Sequence, residues 1–296
     1  MTIMGADKNW NERIRFLDRS RKTLWNEDYA QFLVERVWKI TEPVRVIDFG
    51  CGTGFLGALF MPLLPRGSSY TGVDRAAGAL EEAKNALAGA EFEFRFIEAD
   101  LENFEPESSC DLAICQALLM HMPDPGKILM KMRDSLDEKG LMVCIEVDWH
   151  LTNAALFIDG FGFENLYNFD ALEKIWRNEV LHGEPDRRIG LKLPVLMRRI
   201  GLKDVNVRMN DCVRFVDPLN PETHQRQVEG FFSGARTQIP KNRDFYIAAL
   251  KKKGLTDEEA RQQYESKVKM AEYLTQNRET ASIVHSPSFI ISWGRK

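Results

Sequence analysis

Short apolar runs recur along residues 44–149 of this 296-residue chain. The first run, VRVIDF at 44–49, is apolar or β-branched at nearly every position, which is typical of a strand buried on both faces of a parallel sheet. Four more runs are predicted to be strands; the second of them is predicted because its apolar and polar residues alternate. They lie at 70–74, 91–100, 110–116 and 141–149.

The segments between these runs have helical periodicity and recognisable ends. Proline or glycine closes each of three predicted helices, which cover about 54–62, 76–89 and 123–140. Strands that alternate with helices form parallel sheets with the helices on both faces. The pattern therefore predicts a doubly wound α/β fold with a mostly parallel sheet.

The pattern changes after residue 150. Residues 151–200 are predicted to be largely helical, and two further strands are predicted at 202–210 and 288–294. The segment from about 211 to 285 is too long for a simple connection. Within it, Thr256-x-x-Glu259 has the spacing of a capping box, which predicts the start of a helix. The segment is either a lid or a helical hairpin that only packs on the core.

These patterns divide the chain into four regions: an N-terminal helical segment, a core, a helical insertion that forms a cap or lid, and a C-terminal part that completes the sheet. Their predicted limits are 1–40, 41–150, 151–200 and 201–296.

Composition narrows the classes of function. The chain is 44% hydrophobic and 28% charged with a formal net charge of −4, so no overall positive field attracts nucleic acid or anionic lipid. The first residues are charged and lack the apolar core of a signal peptide, and no run of about 18 apolar residues occurs. Five cysteines without a CxxC pair indicate neither a disulfide framework nor a zinc site. We expect a cytoplasmic protein without nucleic-acid or membrane partners.

A glycine-rich turn, VIDFGCGTGFLG at 46–57, follows the first strand. Ligands of such sheets bind at the carboxyl ends of the strands, and glycines let a ligand approach the backbone. The dinucleotide fingerprint G-x-G-x-x-G would need glycine at position 55, which is Phe55. Asp48 would repel a pyrophosphate but suits an ammonium or sulfonium group. Asp74, at the end of the second strand, could accept ribose hydroxyls in either case.

Four motifs occur in the same order along this chain as in a known family. Asp48–Gly54, Gly72-Val73-Asp74, Glu98–Leu101 and Cys110–Gln116 together resemble the class I S-adenosylmethionine-dependent methyltransferases, over roughly a third of the chain. The resemblance implies a seven-stranded sheet whose last strand runs antiparallel, and SFIISWG at 288–294 fits that strand. It also implies S-adenosyl-L-methionine as the cofactor.

The same resemblance implies roles at matching positions. Asp48 and the glycine turn would hold the methionine part, Asp74 the ribose, and Asp100 with Leu101 the adenine; Gln116 would face the transferred methyl group. The predicted cofactor-binding residues are Asp48, Gly50, Cys51, Gly52, Thr53, Gly54, Asp74, Arg75, Asp100, Leu101 and Gln116.

Catalytic candidates depend on the acceptor. An amine or thiolate needs no obligatory catalytic residue, whereas a hydroxyl acceptor needs a general base within hydrogen-bond reach. His121, Glu146 and Asp148, with His150 beside them, are candidates near the expected cofactor. Glu146 and Asp148 share one face of a strand, where they could attract a cationic substrate or simply be solvated. No metal site is predicted, because no cluster of carboxylates and amides can be assembled.

The acceptor itself is predicted to be a small organic molecule. Nucleic-acid amino-methyltransferases of this class carry Asn/Asp-Pro-Pro-aromatic after the fourth strand, where this chain has Cys115-Gln116-Ala117-Leu118. Aromatic residues outside the core could line an apolar pocket; they are Trp10, Trp25, Tyr29, Phe157, Phe161, Phe163, Tyr167 and Phe169. A nicotinamide-dependent oxidoreductase, a protein or RNA methyltransferase, and a non-catalytic scaffold remain alternatives, and the oligomeric state stays open.

Overall fold

The structure is a computed structural model that describes residues 24–166, 168–220 and 238–296. These residues form two compact units. The first, the sheet unit, contains 24–148 together with Arg188–Asp211 and Ser288–Lys296. The second unit takes its described residues from Trp149–Arg187 and Cys212–Pro287. The domain limits predicted from the sequence remain a prediction.

Ten strands occur in the described residues: β1 Arg45–Phe49, β2 Ser69–Asp74, β3 Glu93–Glu98, β4 Cys110–Gln116, β5 Leu136–Val147, β6 Leu156–Ile158, β7 Lys203–Met209, β8 Arg214–Val216, β9 Ile283–His285 and β10 Phe289–Arg295. The α-helices there are α1 Glu27–Phe32, α2 Phe55–Phe60, α3 Ala77–Ala86, α4 Pro125–Asp134, α5 Trp149–Ala154, α6 Phe169–Leu181, α7 Ile189–Arg199, α8 Arg243–Lys252 and α9 Asp257–Gln276. A π-helical stretch, Leu33–Trp38, continues α1, and short 3₁₀ turns cover Met61–Leu63, Leu119–His121 and Phe163–Asn165.

The sheet unit is built on seven strands in the order β3-β2-β1-β4-β5-β10-β7. Strands β1 to β5 are parallel to one another, and β10 runs antiparallel to both β5 and β7. Four consecutive residues of β1 are buried, as the nearly continuous apolar run predicts for a central strand. The predicted fold class is confirmed, including the antiparallel last strand.

Helix α4 is shorter than the sequence pattern predicts. The helix was predicted over 123–140, but it ends at Asp134 and strand β5 already begins at Leu136. The Ser135 hydroxyl donates back to the carbonyl of Met132 at 2.7 Å, while the amide of Cys110 donates to the carbonyl of Ser135 at 2.8 Å. Pairing with β4 therefore overrides the helical periodicity, which extends past the true helix end.

The second unit contains a three-stranded antiparallel sheet in the order β6-β9-β8. One face of this sheet packs on α9 through a cluster that includes Ile283, Met270 and Leu274. A second cluster joins α6, α8 and α9. The capping box of Thr256 and Glu259 is confirmed at the start of α9. A role of this segment as a lid stays a prediction.

The predicted aromatic residues do not gather in one pocket. Phe161 packs against Tyr273, Phe169 belongs to the other cluster of the second unit, and Phe157 is 60% exposed. In the sheet unit, Trp25 is buried against Phe60. Trp10 and Tyr167 lie outside the described residues, as does the side chain of Phe163. In the second unit, the described members of this aromatic set are thus divided between two clusters and the surface.

Candidate active site

The glycine turn after β1 depends on left-handed backbone conformations. Gly50, Gly52 and Gly54 have φ values of 70°, 52° and 75°, a region that costs other residues about 1–2 kcal/mol each. The amides of Gly50 and Cys51 both donate to the carbonyl of Val73, at 2.8 and 3.0 Å. The turn is therefore fixed against the end of β2 by backbone bonds that only this conformation permits.

Asp74 joins the turn to β2 through its side chain. Its Oδ2 accepts from the amide of Gly52 at 2.9 Å, and its Oδ1 accepts from the amide of Ala76 at 2.9 Å. A carboxylate oxygen has two acceptor sites, so each oxygen keeps one for a further donor. The side chain is only half-buried. This geometry is compatible with the predicted contact to a ribose, and it gives Asp74 a structural role in addition.

Asp48 is buried beneath the turn. The Tyr70 hydroxyl donates to Asp48 Oδ2 at 2.7 Å. Burial first, and then the negative charge of Asp48, raises the pKa of Tyr70 well above its usual value, so the phenol remains a donor. This bond holds the carboxylate in one orientation below Gly50. Tyr70 was not among the predicted site residues.

A small cleft connects Asp48 with Gln116. It is narrow, with a cavity volume of about 10 Å³, and it is lined by Asp48, Gly50, Cys51, Phe55, Leu56 and Gln116. The structure thus brings together Asp48, the glycine turn and Gln116, as the sequence predicts for the methionine end of the cofactor.

Two polar side chains of this region have no hydrogen-bond partner among the described residues. Gln116 is 5% exposed, and neither its amide nitrogen nor its amide oxygen is bonded; the Thr53 hydroxyl is also buried and unbonded. Leaving such a group unsatisfied costs about 1–3 kcal/mol, so it calls for an explanation in a native structure. A ligand with polar groups in the cleft would provide the missing partners.

The predicted adenine contacts lie beyond the neighbouring strand. The amide of Ala99 donates to the carbonyl of Asp74 at 3.0 Å, which aligns the end of β3 with that of β2. Asp100 is exposed, its Oδ1 accepts from the amide of Glu102 at 3.0 Å, and the adjacent Leu101 is buried. Arg75 is exposed. Their contacts with a cofactor stay predictions.

Both carboxylates proposed as catalytic groups are fully buried. Glu146 Oε1 accepts from the amides of Leu118 and Leu119, at 2.8 and 2.6 Å. Burial raises the pKa of Glu146 to about 7, although hydrogen bonds from backbone amides lower it. Asp148 lies beside Arg188, whose Nε is 3.9 Å from Asp148 Oδ2. The sequence also allowed that Glu146 and Asp148 are simply solvated at a strand end. This alternative is wrong, because both side chains are buried.

The two histidines lie in different units. His121 is exposed at the end of the 3₁₀ turn that follows β4, in the sheet unit. His150 lies in the second unit, where its ring packs 5.2 Å from Phe169 and 6.0 Å from Trp176, measured between centroids. A role of His121, Glu146 or Asp148 as a general base stays a prediction.

Two contacts that stabilise the site join residues far apart in the chain, and the sequence pattern did not predict them. The bond between Tyr70 and Asp48 spans 22 residues, and those between Glu146 and the turn after β4 span 27 and 28 residues. The sequence offered one signal for these contacts, which is the presence of a tyrosine and a glutamate inside otherwise apolar strands. Their partners depend on strand register, which the sequence pattern does not specify.

Comparison with known proteins supports the same interpretation. Residues 40–180 match a family described as "Methyltransferase domain". The chain is 31% identical over 147 residues to a trans-aconitate 2-methyltransferase of Enterobacter sp., covering 42% of this chain and 56% of that protein. It is 26% identical over 193 residues to the trans-aconitate 2-methyltransferase of Shigella dysenteriae, covering 55% and 75%. Several other curated relatives are matched over only about half of their length.

A solved structure is similar in fold. It is a phosphoethanolamine N-methyltransferase of Haemonchus contortus, with a TM-score of 0.54 and 12% identity, and the match covers 98% of this chain and 58% of that one. The strand order, the four ordered motifs and the matched family domain agree with one another. Together they indicate a class I S-adenosylmethionine-dependent methyltransferase.

Proposed function

We propose that this protein transfers the methyl group of S-adenosyl-L-methionine to a small organic acceptor. The observation that carries the proposal is the cleft shared by Asp48 and Gln116 beside the glycine turn. The amide of Gln116 is buried without a partner in the described part of the chain, and Asp48 offers an anionic acceptor in the same cleft. The methionine part of the cofactor has both an ammonium group and a carboxylate, which suit these groups.

The cofactor, when bound, supplies an activated methyl group on sulfur. The chain's own residues have to bind the cofactor and the acceptor, orient them, and exclude water from the site. Asp48, oriented by Tyr70, would accept from the ammonium group, and the left-handed glycines leave the backbone open to close approach. Asp74 would accept from the ribose hydroxyls with its remaining lone pairs. Holding two reactants in near-attack geometry can lower a barrier by roughly 7–11 kcal/mol, so positioning is the main catalytic contribution.

For the acceptor, we infer that small carboxylic acids are the first class to test. The two curated relatives described above are named trans-aconitate 2-methyltransferases. An ionised carboxylate is a nucleophile that needs no proton removed, so it does not require a general base. This chemistry suits a site whose two candidate carboxylate bases, Glu146 and Asp148, are fully buried. Amines and thiolates share this property and form the comparison set.

The expected location and partners of the protein rest on its helices, its cysteines and its net charge. None of the described helices combines the length and the apolar character needed to cross a membrane. All five cysteines are buried thiols outside any disulfide, which supports the expected reducing, cytoplasmic location. We expect no nucleic-acid partner, because the net charge of the whole chain is negative.

Calorimetric titration tests the cofactor first. We expect saturable binding of S-adenosylmethionine and of its demethylated product, and none of NAD. Binding of NAD alone would overturn the proposal. Transfer of a labelled methyl group is then measured with trans-aconitate, other di- and tricarboxylic acids, small amines, thiols and phenols. Methylation confined to the carboxylic acids would support the inferred acceptor class, and methylation confined to another group would replace it.

A further inference from the structure

Glu146 makes a contact that the methyl-transfer chemistry does not use. The side chain, near the end of β5, is completely buried. Its Oε1 receives two short hydrogen bonds, from the amides of Leu118 at 2.8 Å and Leu119 at 2.6 Å. Hydrogen bonds between a backbone amide and a carboxylate are roughly twice as strong as those between neutral groups. Glu146 is thus an anchor for the turn that follows β4.

That turn needs an anchor because its backbone is strained. Ala117 has a φ of 50°, a left-handed conformation that disfavours any residue with a side chain. The next residues enter the 3₁₀ turn Leu119–His121, and the first amides of such a turn have no acceptor within it. The Glu146 carboxylate supplies this acceptor. The strained conformation is kept because a group on the neighbouring strand determines it.

The anchored turn lies directly against the glycine turn of the cofactor site. A methyl group built on Gly50 would lie 2.7 Å from Leu118 Cδ1, so the leucine side chain already fills that space. Gly50 also lines the cleft with Asp48 and Gln116. A displacement of Leu118 would therefore change the wall of the cleft.

We propose that Glu146 is a positioning residue: its carboxylate fixes the turn after β4, which holds Leu118 against Gly50 and so preserves the cofactor cleft. The inference rests on the proposed function, because it takes the cleft to be the cofactor site. It assigns Glu146 a role other than general base. Oε1 is engaged by two amides, and Oε2 is buried with no hydrogen-bond partner in the described part of the chain.

Two substitutions of Glu146 separate these roles. Glu146→Gln keeps an acceptor oxygen for both amides and removes the charge, whereas Glu146→Leu keeps the volume and removes the acceptor. Glu179→Gln is a matched control, because Glu179 is also a fully buried carboxylate but bonds Arg187 and Lys253 in the second unit. For each variant, the affinity for S-adenosylmethionine, the thermal midpoint, and kcat and KM are measured.

We expect Glu146→Leu to weaken cofactor binding at least tenfold at temperatures where the variant is fully folded. Glu146→Gln should bind within about threefold of the unmodified protein and keep its kcat, because its oxygen still anchors the turn. Glu179→Gln should lower the thermal midpoint without a change in affinity. Unchanged affinity in a folded Glu146→Leu protein overturns the proposal, and so does a large loss of kcat in Glu146→Gln with affinity retained, which would indicate a base.

Hydrogen exchange keeps the test independent of cofactor binding and of the folding of the leucine variant. The amides of Leu118 and Leu119 should exchange slowly in the unmodified protein and in Glu146→Gln. Fast exchange there, with the sheet amides protected, overturns the anchoring role. If the unmodified protein binds no S-adenosylmethionine but these amides are protected, then the proposed function fails while the anchoring contact stands.

Discussion

The turn after β1 and the turn after β4 both contain left-handed residues, but only the first has glycine at those positions. Gly50, Gly52 and Gly54 adopt such conformations freely, whereas Ala117 adopts one at a cost. The first turn is therefore specified by its own residues. The second is specified by the Glu146 carboxylate, which belongs to another strand and bonds Leu118. The two turns meet where Leu118 contacts Gly50, so the site depends on both mechanisms at once.

The two turns therefore respond to different perturbations, because the turn after β1 is fixed by its own residues and the turn after β4 is fixed by a residue on another strand. Protonation of one carboxyl group can act on the second turn, whereas only a side chain in place of hydrogen disturbs the first.

The largest expected effect is on the pH dependence of stability through Glu146. The pKa of this group is about 7 in the folded protein and about 4.5 when unfolded, so the folded state binds more protons between these values. The free energy of unfolding should therefore fall as the pH rises from about 4.5 to about 7 and stay level above, by up to about 3 kcal/mol. Urea denaturation at pH 5, 6, 7 and 8 measures it. Glu146→Gln should lose this component, and an identical pH profile in both proteins would contradict the assignment.

The next effect concerns Asp74→Ala. Loss of charge-assisted hydrogen bonds should weaken S-adenosylmethionine binding by about 1.5–3 kcal/mol, measured by calorimetry. Asp111→Ala is a matched control, because Asp111 also accepts from a backbone amide, that of Arg45, but at the first residue of β1. The control should bind the cofactor normally. Unchanged affinity in the Asp74 variant would remove Asp74 from the cofactor site.

A smaller effect is expected for Gly50→Ala, and it tests the first turn. The left-handed conformation should cost about 1–2 kcal/mol of stability. Gly89→Ala has the same problem at φ 87° but has no atom within 4 Å of the new methyl group, so it isolates the conformational cost. Both variants should show this conformational cost in chemical denaturation, and Gly50→Ala should lose at least as much stability as Gly89→Ala because of its contact with Leu118. Only Gly50→Ala, which must displace Leu118, should weaken cofactor binding; equal affinities would show that the contact is unimportant.

The smallest effect is expected for Ala117→Gly. Relief of the left-handed strain opposes the greater flexibility of glycine in the unfolded chain, so stability should change by less than about 1 kcal/mol. Ala113→Gly, in the buried strand β4, has no strain to relieve and should be clearly destabilising. Denaturation of both variants measures the contrast. A loss at position 117 as large as that at position 113 would show that Ala117 is not strained.

Several features of this protein follow from local patterns in its sequence. Continuous apolar runs predicted the buried parallel strands, because a strand covered on both faces needs apolar residues throughout. The G-x-G-x-G spacing predicted the turn, because three left-handed positions require glycine, and the ordered motifs carried the resemblance to the family. Thr256 and Glu259 predicted the start of α9 because a capping box is made within four residues.

Other features depend on contacts that form when the chain folds. The end of α4 depends on pairing of Ser135 with β4, and the orientation of Asp48 depends on Tyr70 from the neighbouring strand. The turn after β4 takes its shape from Glu146, whose sequence context resembles any polar residue near a strand end. These contacts join residues far apart in the chain, so strand order and register have to be known before they can be recognised. Local conformational preference is readable in the sequence, whereas the partner of a buried polar group is set by the fold.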